Sequence, residues 1–105
     1  MSENSIQGGK SPFDTVWLRC QAAASFKQDE ALITIRALDL PDPNPSFFVD
    51  ANLLEPGVSL TKNAEVQSRV HVLLIAQNNG RATVEVPGEP ISFGPKVVVP
   101  SDDLA

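Results

Sequence analysis

Two turn sequences between Val66 and Val99 constrain this chain more than any other feature, because both must fit one alternation of apolar side chains. Gln77-Asn78-Asn79-Gly80-Arg81 closes a hairpin either on Asn79-Gly80 or on Asn78-Asn79-Gly80, the latter with Gly80 left-handed in a bulge. The shorter loop sets Leu74 opposite Glu85. The longer one sets Ala76 against Ala82, Leu74 against Val84 and Val72 against Val86 on one face. A one-residue slip turns a whole apolar set to the wrong side, so the pattern predicts the three-residue loop.

Val86-Pro87-Gly88-Glu89 reads as a type II turn, with Pro where φ is fixed and Gly where φ must be positive. It pairs Val84 with Ile91 and Ala82 with Phe93, so both turns bring the same face of the middle strand inward. Gly94-Pro95 then interrupts the third strand before Lys96-Val97-Val98-Val99, and proline within a strand belongs at an edge, a bulge or a corner.

Upstream, Ser11-Pro12-Phe13-Asp14 has the form of a helix start: a Ser cap, Pro at the first helical position and an acid three residues after the cap. Phe13, Val16, Trp17, Cys20 and Ala24 follow at helical intervals, which predicts a helix over 12–27. A competing reading makes Thr15 to Cys20 a strand, since Thr, Val and Trp favour a pleated surface. Ala31 to Leu38 is a strand that ends at the proline-rich loop Leu40 to Pro45. Phe47 to Val49 is a short strand or the start of a helical turn, and Val58 to Leu60 is a further short pairing segment.

Leu73 and Ile75 lie on the outer face of the meander and need a cover, which an amphipathic helix supplies. The expected fold is therefore α+β, an antiparallel β-meander forming a small SH3-like barrel or an open sheet, with one N-terminal helix. The alternative is an all-β small barrel with a short turn at Ser101-Asp102-Asp103-Leu104. The SH3-like likeness is architectural and implies no function.

A chain of 105 residues builds one modest core, and no internal repeat is visible in it. Met1 to Lys10 reads as a flexible polar tail, and residues 11–105 as a single small domain. One cysteine, Cys20, rules out an internal disulfide. Met1 to Lys10 contains no apolar stretch of the signal-peptide kind, and the longest apolar run, near Val70 to Ala76, is too short to span a bilayer. A cytoplasmic protein of bacterial type, without a membrane partner, is expected. The net charge is −5 and the eight basic residues are scattered singly, whereas nucleic-acid backbones need clustered cations. Nucleic acid is not an expected partner.

Chemistry-bearing groups are few. His71 is the single histidine and lies on the outer face, with no activated partner or orienting acid in recognisable sequence order. Cys20 lies on an apolar stripe and reads as a small buried hydrophobe. Asp39, Asp42 and Asp50 lack the alternating order of a calcium loop, and Gly8-Gly9 follows no strand as a phosphate loop does. No catalytic residue, cofactor or metal site is expected.

Phe47-Phe48, with Asp50 and Leu53-Leu54 behind them, form the expected contact patch if they are exposed, and ordinary core if they are not. The first functional expectation is thus a non-enzymatic module acting through protein contacts, in accessory, assembly or inhibitory roles, with self-association included. The second is a small enzyme or ligand-binding domain using the acids of residues 39–55 with His71 or Arg69. The third, from charge and size, is an acidic antitoxin-like inhibitor.

Overall fold

The computed structural model describes residues 14–87 and 94–104. Among the described residues, six strands make one antiparallel sheet: β1 (Thr15–Ala24), β2 (Glu30–Thr34), β3 (Ser46–Asp50), β4 (Val66–Asn78), β5 (Arg81–Glu85) and β6 (Lys96–Pro100). Their spatial order is β3-β2-β1-β4-β5-β6, and the sheet curls into a half-barrel. Short 3₁₀ turns follow β3 and β6, at Ala51–Leu53 and Ser101–Asp103.

The helix expected over 12–27 is absent among the described residues, and with it the α+β class; its place is taken by β1. The helical spacing misleads because Val16, Cys20 and Ala24 satisfy a period of two as well as one of 3.6. Leu18 and Ala22 complete the shorter period, so Val16, Leu18, Cys20 and Ala22 are all buried on the concave face. β1 also meets partners along both edges, β4 through Thr15–Ala22 and β2 through Gln21–Ala24. A helix here would leave the long β4 unpaired on that side. Ser11, Pro12 and Phe13, which suggested the helix start, lie outside the described residues, as does the predicted tail.

The β4–β5 hairpin differs from its expected form in an instructive way. Asn78 faces Arg81, so the loop holds only Asn79 and Gly80, both at positive φ (53° and 80°), the conformation of a type I′ turn. Ala76 consequently faces Thr83 instead of Ala82 and is exposed. Leu74 still faces Val84, because the ladder shifts between Leu74 and Ala76 and leaves Ile75 without a partner. The bulge restores the register that the short loop would have destroyed. Across β5, Val84 pairs with Val97 and Ala82 with Val99, the positions expected for Ile91 and Phe93. Those two residues and the second half of the predicted type II turn, Gly88-Glu89, lie outside the described residues. Val58 to Leu60 forms no strand.

Although no repeat is legible in the sequence, the backbone repeats itself. Each half runs through three strands and a 3₁₀ turn, then an isolated bridge: β1-β2-β3 ends with Leu54, and β4-β5-β6 ends with Leu104. Leu54 bridges to Val70 of β4, Leu104 bridges to Leu18 of β1, and Leu18 and Val70 pair with each other. The sheet order is a palindrome about β1 and β4, so a pseudo-two-fold relation passes through the Leu18–Val70 pair. Pro45 and Pro95 stand just before β3 and β6 in the two halves. Apolar alternation is all the halves share elsewhere, which hid the repeat.

The halves also interlock. Beyond β2 the chain keeps its alternation, burying Ile35 and Ala37, and crosses to the far edge of the sheet. There the Leu38 N–H donates to the Val98 carbonyl of β6 (2.8 Å), and the Val98 N–H donates to Asp39 Oδ1 (3.2 Å). One seam of the barrel is closed this way. A single apolar core fills the concave side, with Leu18, Ile33, Ile35, Val70, Leu74, Val84, Val97 and Val99 as its most enclosed large side chains.

Candidate functional site

β3 alternates across the sheet, so it divides the predicted contact patch between two faces. Phe47 is buried at 5% exposure, and Leu54 is buried beside Val70. Phe48 lies on the convex side and is 50% exposed. Asp50 is exposed; its carboxylate accepts from the Asn52 N–H (2.9 Å) and caps the 3₁₀ turn. Leu53 is half-buried and packs on the core.

Phe48 keeps different company from that expected. Leu32 of β2 is its cross-strand neighbour, Ala23 of β1 faces Leu32, and all three belong to the convex face. Together with Phe26 and Lys62 they line a shallow depression of about 200 Å³. Phe26 is 94% exposed, and Lys62 Nζ stands 5.9 Å from its ring centroid, within cation–π range. Phe26, Leu32 and Lys62 were not legible as a group, because they sit in three segments that only the β1–β2–β3 register unites. One signal was available: a phenylalanine within the polar connection Ser25-Phe26-Lys27-Gln28-Asp29 has no core to enter.

The acids of residues 39–55 do not converge. Asp39 accepts from Val98, Asp42 accepts from the Asn44 N–H (2.9 Å), and Asp50 caps its turn. Glu55 does reach Arg69, at 3.9 Å between Oε1 and Nε. His71 lies on the outer face and stacks on Trp17 with ring centroids 3.8 Å apart, as a cross-strand aromatic pair. Among the described residues, no group of three or more His, Cys, Asp or Glu side chains is arranged to hold a metal ion.

One close ion pair has no signature in the sequence. Arg36 forms a bidentate contact with Asp103, Nε to Oδ2 at 2.9 Å and Nη2 to Oδ1 at 2.8 Å. Asp103 is 4% exposed, and Arg36 supplies its counter-charge from the rim. The hydrogen bond to Asp103, and then its charge, raise the Arg36 guanidinium above its ordinary pKa. Sixty-odd residues of chain separate the two, so no local motif announces them.

The pseudo-two-fold relation produces two related clefts. One, of about 390 Å³, is lined by Arg19, Gln21, Thr34, Arg36 and Asp103 among others. Its counterpart, of about 280 Å³, is lined by His71, Leu73, Glu85, Pro87 and Leu53 among others. Leu53 takes the place of Asp103 and Pro87 that of Arg36, so the same backbone carries a polar cleft in one half and a largely apolar one in the other. Cys20 and Ser68 pair across β1 and β4 on the concave side, both buried. Burial, with a smaller push from Glu55, raises the Cys20 thiol to about 12, so it stays protonated and unreactive at neutral pH.

Among the described residues, no helix is long and apolar enough to cross a membrane. Compared with known proteins, the chain matches no family model, and no curated protein or solved structure gives a significant match.

Proposed function

We propose that the protein is a cytosolic, non-enzymatic module that acts by binding another protein through the convex face of β1, β2 and β3. The observation that carries this reading is the exposed apolar depression, in which Phe48 and Phe26 stand open to solvent beside Leu32. Aromatic side chains are the usual anchors of a protein interface, and a large exposed pair is costly to leave in water. Neighbouring charges carry both signs, with Lys62 over Phe26 and Asp50 across from Glu30. The fitting partner presents an apolar side chain flanked by an acid that meets Lys62.

Phe48→Ser and Phe26→Ser test the reading, with mass in solution and capture from lysate compared against thermal stability. Both variants are expected to keep the wild-type Tm within about 2 °C, because neither ring enters the core. Association is expected to weaken at least tenfold, the loss of about 1.4 kcal/mol. Unchanged association in both variants defeats the proposal. A concentration-dependent mass that Phe48→Ser abolishes identifies a second copy of the chain as the partner.

A further inference from the structure

On the convex face, Arg19 of β1 and Arg69 of β4 are direct cross-strand partners. Like charges placed opposite one another on neighbouring strands destabilise a sheet, and this occurs on a chain with a surplus of acids that could have separated them. Arg19 makes no ion pair among the described residues, and the Arg69 guanidinium has only the Glu55 carboxylate, at 3.9 Å, although the Glu55 N–H donates to the Arg69 backbone carbonyl (2.8 Å). Both arginines, with Gln67, Ser68 and Glu55, line an open cleft of about 480 Å³.

A second observation is independent of the charges. At the pseudo-symmetric position the stacked Trp17 and His71 replace the two arginines, so their juxtaposition is not something the sheet requires at this point.

We propose that the Arg19–Arg69 cleft binds an oxyanion, the phosphate or carboxylate group of a small ligand, held between the two guanidiniums with Gln67, which shares their face of β4, as a neutral donor. Two guanidinium forks match an oxyanion's lone pairs, and the bound charge relieves the repulsion between the strands. Glu55 holds part of Arg69 in the free protein and yields it when the anion arrives. This site is separate from the Phe48 contact face and does not depend on it.

The test is titration of the protein at fixed ionic strength with inorganic phosphate in one arm and acetate in the other. It is followed by backbone and Arg Nε resonances and by Tm. Saturable shifts at Arg19, Gln67 and Arg69, with a rise in Tm, are expected in at least one arm. Saturation by phosphate alone assigns a phosphate-bearing ligand, and saturation by acetate assigns a carboxylate-bearing one. Arg19→Gln and Arg69→Gln are each expected to weaken binding at least tenfold. Arg19→Gln is also expected to equal or exceed the wild-type Tm without anion, which shows that the variant is folded. Linear, non-saturating shifts in both arms, or shifts that persist unchanged in Arg19→Gln, overturn the proposal.

Discussion

Asn79 and Gly80 both hold positive φ, and only Gly does so without strain. Nothing lies within 4 Å of a Cβ built on Gly80, so Gly80→Ala meets no clash and loses only conformational preference. The expected cost is about 1 kcal/mol, seen as a lower urea midpoint at unchanged m-value. Asn79→Gly should be neutral or slightly stabilising in the same measurement. Cys20 makes a prediction of opposite character. Its thiol titrates near 9.0 when unfolded and is pushed to about 12 by burial. Above pH 9 the unfolded chain therefore loses a proton that the folded chain keeps, so the unfolded state gains and stability falls as pH rises. The slope approaches about 1.4 kcal/mol per pH unit. Urea midpoints at several pH values between 8 and about 11 should show this decline, and Cys20→Ala should remove that share of it.

Strand by strand, the most consequential device is the bulge at Ile75. Removing Ile75 leaves Leu74 next to Ala76, and their partners Val84 and Thr83 are already adjacent, so the ladder becomes regular. The deletion is expected to fold and to keep the Leu74–Val84 contact, visible as a cross-strand NOE. Removing Val72 has no such slack and should unfold the sheet, since it turns a buried set outward. This hairpin also marks how far the sequence could be read. Positive φ at Gly80 and the inward Leu74–Val84 pair were legible, because turn chemistry and alternation are local. Loop length was not, because a longer loop and a bulge further along absorb the same extra residue. In β1 the ambiguity lay in Val16, Cys20 and Ala24, which fit both periods, and the decision belongs to β4, fifty residues away. Phe47 and Phe48 could be paired with core and surface only once the pleat of β3 was fixed against β2. The Arg19–Arg69 juxtaposition needs the β1–β4 register and is invisible without it.

Taken whole, the molecule is held closed at points where one half grips the other. Arg36 reaches Asp103, Leu38 reaches Val98, Leu54 reaches Val70 and Leu104 reaches Leu18. Asp103→Asn keeps the shape of the side chain but removes the charge that holds Arg36. It is expected to lower Tm and to speed hydrogen exchange at the Leu38 amide, while the amides of β1 and β4 exchange as before. Exchange that rises uniformly across the sheet would show that the seam and the core open together. The four closures also impose an order in time. As the chain is synthesised, β1, β2 and β3 exist before any of β6, with the Leu18 edge and the Leu38 amide still lacking the residues that will occupy them. Closures between distant residues form slowly, and an open strand edge is adhesive while it waits. The stickiest surface of the half-made chain is thus one that its own later-made half is shaped to cover.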